Sequence, residues 1–127
     1  MSENEVAASI VDAALKVHRT LGPGLLESVY EAALTLELRK RGFTVEVQKE
    51  VPAFYDGVEL GCGFRADLII NGLVLIELKS VEALTDVFKK QTLTYLRLTG
   101  LRLGLLANFN EVLLKNGLKR IVNGLPE

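Results

Sequence analysis

The sequence predicts an α/β fold: a single domain with a central mixed β-sheet of about four or five strands, flanked by helices. Three observations carry this. The middle of the chain holds two apolar β-runs, residues 64–70 and 73–79, joined at Asn71-Gly72, a dipeptide that favours hairpins. The stretches on either side repeat apolar residues at helical spacing. The length, 127 residues, suits one core without covalent staples. The predicted order is α-α-β-β-β-α-β-β.

The two central runs are almost all Leu, Ile and Val, so they read as strands buried on both faces. Charges are costly there unless they bind something. Yet Asp67 lies in the first run, and Glu77 and Lys79 lie in the second. Glu77 and Lys79 are two apart, so one strand face carries both. Hairpin parity decides where Asp67 points. A strict two-residue loop pairs Ile70 with Leu73 and puts Asp67 and Glu77 on opposite faces. A three-residue loop, or one bulge, shifts the register and sets Asp67 opposite Glu77. The shifted register is the expected one, because three-residue loops with a left-handed Gly are common.

Two carboxylates brought together, with backbone carbonyls nearby, make an oxygen-rich site for Mg²⁺ or Mn²⁺. A lysine beside them can orient a water and stabilise charge building on a phosphate. The alternative is a buried salt bridge between Lys79 and one acid.

Bulk properties exclude several classes. Net charge is −1, so any attraction to nucleic acid must be local. One cysteine, Cys62, rules out an internal disulfide. One cysteine and one histidine cannot build a usual structural zinc site. The start of the chain shows no secretory signal, and no apolar run reaches membrane-spanning length. The expectation is a cytoplasmic protein with no membrane contact.

In chain order, Val6, Ile10, Ala13, Ala14, Val17 and Leu21 predict a helix over about residues 5–20. His18 beside this stripe reads as structural or solvent-facing. Gly22-Pro23-Gly24 separates it from a second helix, about 24–41, with Leu26, Val29, Tyr30, Ala33, Leu34, Leu36 and Leu38 as its apolar positions. Glu27 neighbours Tyr30 and Glu31 on that helix, and in the first turn it also suits the helix dipole. Residues 43–55 alternate as a half-exposed strand, and Asp56-Gly57 is a turn. Cys62 reads as a plain small apolar residue. A third helix, about 84–99, puts Leu84, Val87, Phe88, Gln91, Tyr95 and Leu98 on one face. Gln91 and Tyr95 are polar tips that can satisfy each other or the backbone. Residues 101–109 read as a buried strand and 118–122 as a short last one. Lys89, Lys90, Arg97, Arg102, Lys115, Lys119 and Arg120 can meet a phosphate backbone or form an ordinary solvated face.

Three motifs carry a resemblance. Gly24-Leu25-Leu26-Glu27-Ser28-Val29-Tyr30 has the form GxxExxY. Asp67 is followed ten positions on by Glu77-Leu78-Lys79, with Ala66 where a proline often stands. Gln91, Tyr95 and Asn108-Phe109-Asn110 follow in order. Together these resemble the GxxExxY family of small PD-(D/E)XK nuclease-like proteins, over nearly the whole chain. The resemblance implies a restriction-endonuclease-like αβββαβ core and hydrolysis of phosphodiester bonds, of DNA. It implies Mg²⁺ or Mn²⁺ on Asp67 and Glu77, with Glu27 as a further or water-mediated ligand. It makes Lys79 the residue that orients the attacking water, with Gln91, Tyr95 and Tyr30 in support. Phe88 departs from the pattern, standing where many relatives carry a histidine. A single-domain nuclease that cuts both strands implies a homodimer. The alternative function is a catalytically inactive nuclease-fold binding or scaffold domain.

Overall fold

A computed structural model describes residues 1–126. Helix α1 (Glu3–Leu21) starts on a capping box. Ser2 Oγ accepts from the Glu5 N–H at 3.2 Å, and the Ser2 N–H donates to Glu5 Oε1 at 3.1 Å. The cap explains a start two residues before the predicted one. Helix α2 (Glu27–Lys40) starts later than predicted, because Gly24 takes φ 98° and stays outside the helix.

Strands β1 (Val45–Tyr55), β2 (Val58–Ile70) and β3 (Val74–Lys79) follow. Helix α3 (Asp86–Thr99) then crosses over to β4 (Leu103–Asn108). A 3₁₀ turn at Leu114–Gly117 leads into β5 (Leu118–Val122). The sheet order is β1-β2-β3-β4-β5, antiparallel except for the parallel pair β3–β4. This is the predicted α/β order, with five strands and the αβββαβ core.

Helices α1 and α2 cover one face, packing Ile10, Leu34 and Leu38 on Leu68, Ile76 and Leu78. Helix α3 covers the other, packing Leu96 on Phe64, Ala66, Ile69 and Leu75. Each fully buried leucine or isoleucine among them contributes about 1.5–3 kcal/mol. Gly104 lets α3 lie close to β4: a Cβ there would sit 3.2 Å from Thr92 Cγ2 and 3.3 Å from a Leu96 methyl. Five residues of the predicted apolar stripes, Leu21, Leu26, Val29, Leu36 and Val87, are instead exposed.

The hairpin settles the register. Ile70 pairs with Val74, Ile69 with Leu75 and Leu68 with Ile76, so the loop holds three residues. Asn71 and Gly72 are both left-handed, at φ 52° and 63°, and the Leu73 N–H closes the turn onto the Ile70 carbonyl at 2.9 Å. Asn71 also exchanges two hydrogen bonds with the backbone of Thr44, which pins the loop to the start of β1.

Strand β2 does not keep one face throughout. Leu68 and Ile70 join the α1/α2 core, yet Phe64 and Ala66, of the same parity, join the α3 core. Val45 and Val51 of β1 divide in the same way. The exchange happens at one point. The β1–β2 ladder runs from Val47↔Leu68 to Lys49↔Ala66 without pairing Gln48 and Asp67, and Gln48 has φ 50°. A left-handed residue inside a strand twists the ribbon locally.

One buried group is unsatisfied among the described residues: Thr35 Oγ1 on α2, in a residue only 7% exposed. Thr35→Val keeps the shape and removes the stranded hydroxyl. It is expected to stabilise the fold by about 1 kcal/mol in urea denaturation. Equal or lower stability would mean that a water or the helix backbone already satisfies that hydroxyl.

Candidate active site

Strands β2 and β3 pair over only three residues and then part. Continued by one step, their register sets Asp67 opposite Glu77, as the shifted loop requires. The ladder itself stops there, which strands backbone donors on both strands. The acids take them over. Glu77 Oε2 accepts from the Asp67 N–H at 2.9 Å, and Asp67 Oδ2 accepts from the Leu78 N–H at 2.8 Å. Each carboxylate thus closes on the other's strand, and the two are held together across the fork.

The electrostatics follow from this placement. Glu77 is 5% exposed. Burial first, then the Asp67 charge, push its pKa up to about 8; the Asp67 N–H and Lys79 offset only part of this. Glu27, at the start of α2, is also raised, by partial desolvation and then by Asp67, with Lys79 opposing. Glu31, one turn on, is raised by desolvation and Asp67, against its hydrogen bond from Gln48. Tyr95 is raised by desolvation, then Glu77 and Asp67. Glu27, Glu31 and Tyr95 therefore all feel the charge of Asp67. Glu27 itself is exposed.

Lys79 is half-buried, and its ammonium lies 5.0 Å from the centroid of the Phe88 ring, a cation–π distance. Among the described residues it forms no salt bridge. The salt-bridge alternative therefore fails: the lysine rests on an aromatic face rather than on an acid. Phe88 cannot transfer a proton, but it does hold the lysine.

The supporting residues divide. Tyr30 is fully buried; its hydroxyl donates to the Gly22 carbonyl at 2.6 Å and accepts from the Leu25 N–H at 3.0 Å. Its ring stacks on Phe109 at 4.7 Å. It buckles the loop that presents Glu27. Tyr95 stacks on Phe64 with centroids 3.9 Å apart. Gln91 is exposed and makes no side-chain hydrogen bond among the described residues, so the Gln91–Tyr95 pair is not formed. His18 is structural: its Nε2–H donates to the Glu111 carbonyl at 2.8 Å. Cys62 is a free, exposed thiol. Several basic residues of the C-terminal half are already engaged, Lys89 with Asp86 and Arg102 with Glu3.

Sequence reasoning missed Gln48. Its Nε2 donates to Glu31 Oε2 at 2.7 Å and to Asp67 Oδ1 at 3.1 Å. A signal existed: Lys49 falls on the apolar parity of Val47 and Val51, so the alternation breaks beside Gln48.

The donor set suits a hard divalent cation. It is all oxygen, and each acid keeps one oxygen that takes no backbone donor. Burial and then the Asp67 charge disfavour the ionised form of Glu77, which an added cation would favour. Among the described residues, no group of three or more His, Cys, Asp or Glu side chains is gathered closely enough to hold a metal as it stands. Asp67 and Glu77 form the anchored pair, and Glu27 is the outlying acid.

A pH dependence follows. Glu77 binds its proton up to about pH 8 when folded, against an ordinary value of 4.5. Between those limits the folded protein holds the extra proton, so stability is full below the window and falls as pH rises through it. Glu27 and Glu31 act in the same direction. Without divalent ions, denaturation at about pH 8.5 should give a stability lower by about 2–4 kcal/mol than at about pH 5.5. Glu77→Gln should flatten that slope. An unchanged slope in the variant would remove Glu77 as its source.

No curated protein and no solved structure matches this chain. The family model of the PD-(D/E)XK nuclease superfamily does match it, from residue 4 to residue 121. That span includes every strand and helix but the first residue of α1 and the last residue of β5, with both halves of the fork. A match of this extent, on this geometry, makes the chain a member of the PD-(D/E)XK nuclease superfamily.

Proposed function

We propose that this protein is a divalent-metal-dependent phosphodiesterase that cuts DNA, of the GxxExxY kind. The observation that carries the reading is the fork: two carboxylates locked together, one with a pKa near 8, beside an ammonium that forms no salt bridge among the described residues. Asp67 and Glu77 would hold Mg²⁺ or Mn²⁺, with Glu27 as a further ligand, direct or through water. The ion, when bound, supplies Lewis-acid stabilisation of the phosphate and an acidified water. Lys79, steadied on Phe88, orients that water and meets charge developing on the phosphate. Tyr95 and Gln91 would support the site from α3, and Tyr30 fixes the loop that carries Glu27. A single site serving both strands of a duplex needs a second copy, so the reading includes a homodimer. The free Cys62 suits a reducing cytoplasm.

The test is cleavage of plasmid and linear DNA with Mg²⁺, Mn²⁺ or Ca²⁺. Asp67→Ala should lose more activity than the roughly 10–100-fold typical of removing an outer partner. Lys79→Met should keep Mn²⁺ binding in calorimetry and lose cleavage. Failure of the parent to bind any of these ions would favour the inactive nuclease-fold scaffold.

Metal-free stability gives a second test. Asn at position 67 can still accept from the Leu78 N–H, and it removes the like charge facing Glu77. Asp67→Asn should therefore be as stable as the parent in EDTA, or more so, while binding no ion. A large loss of stability would mean that Asp67 is a structural charge.

A further inference from the structure

Gln48 stands out twice on independent grounds. Its backbone is left-handed, at φ 50°, in the middle of β1. Side chains other than glycine and asparagine are rarely held there, and such residues collect at functional sites. Its side chain meets two carboxylates with one amide nitrogen, Glu31 at 2.7 Å and Asp67 at 3.1 Å. Both neighbours only accept when ionised, so the donor end of the amide must face them.

The two hydrogen bonds on Asp67 complement each other. The Leu78 N–H of β3 holds Oδ2, and Gln48 of β1 holds Oδ1. The carboxylate is thereby fixed in rotation from both sides of the fork. The holder is also neutral. An ammonium in that place would neutralise Asp67 and displace a metal's claim on it, whereas an amide orients the charge without cancelling it. The same nitrogen ties Glu31 on α2 to Asp67 on β2, so two like charges are bridged by one donor.

We infer that Gln48 is a positioning residue of this site, whose amide sets the orientation in which Asp67 receives the divalent ion. The inference rests on the metal-dependent reading above. Its competitor is a backbone role alone, in which the left-handed turn at 48 exchanges the faces of β1 and the side chain is incidental.

Two variants separate these. Gln48→Gly keeps the left-handed backbone without strain and deletes the amide. Gln48→Met keeps the length and deletes the donor. Thermal melting of the whole chain without metal is measured first, then Mn²⁺ binding by titration calorimetry. The expected result is a glycine variant that melts at or above the parental temperature, yet binds Mn²⁺ about 10–100-fold more weakly. The methionine variant should show the same loss of affinity, and it decides the matter if the glycine variant fails to fold. Parental affinity in either folded variant overturns the role of Gln48 and leaves the metal site standing. No Mn²⁺ binding by the parent overturns both, since an acid with no ion to receive needs no orienting.

Discussion

The site exists because a β-ladder ends early. β2 and β3 must diverge after Leu68↔Ile76, and the divergence strands the N–H groups of Asp67 and Leu78 inside a dense apolar sheet. Unsatisfied donors there would each cost about 1–3 kcal/mol. Glu77 and Asp67 accept them, so the acids repair the backbone that their own position disrupts. The same act desolvates Glu77 and sets it beside a like charge. Fold and function pull in different directions at this point: the hydrogen bonds hold the acids in place, and the proximity of the acids raises one pKa.

The chain on either side is tied down from the same buried pair of rings. Tyr30 stacks on Phe109 and holds the Gly22 carbonyl and the Leu25 N–H, which sets where Glu27 begins its helix. Ser80 Oγ donates to the Leu25 carbonyl, so the segment after Lys79 fastens onto the same loop. Phe109 donates its N–H to the Lys79 carbonyl, and the Asn108 amide exchanges two hydrogen bonds with the backbone of Val81. Glu27 and Lys79, 52 positions apart in the chain (79 − 27), are thus referred to one anchor. The tyrosine of GxxExxY acts through the loop rather than on the acids.

Most of the fold was legible because it rests on periodicity and on glycine. The hairpin register followed from Asn71-Gly72 and the parity of three charges, and it was right because Leu73 joins the loop. What escaped was the part that periodicity cannot express. Gln48 breaks the alternation of β1 through one backbone angle, and its partner Glu31 lies on another element. Reading a two-residue period across such a point carries the wrong face forward, which is why Val45 and Val51 looked equivalent and are not. The exposure of Val29, Leu36 and Val87 has a similar origin: an apolar residue at helical spacing says which helix it is on, not whether anything covers it.

The charge balance of the site turns on Lys79 and Phe88. Had the ammonium paired with Asp67 or Glu77, the pair would have been nearly self-sufficient, and the acids would have had little call on a cation. The aromatic face instead contributes about 0.5–1 kcal/mol towards holding the ammonium while adding no charge of its own. Lys79 still acts on Glu27 and Glu77 through space, lowering both, but burial and Asp67 outweigh it. A histidine at position 88 would add a titrating group to this balance; phenylalanine fixes the lysine and leaves the acids short of positive charge. On the proposed function, that shortage is what a divalent ion removes, and the lysine, in no salt bridge among the described residues, is left to face the water and the phosphate.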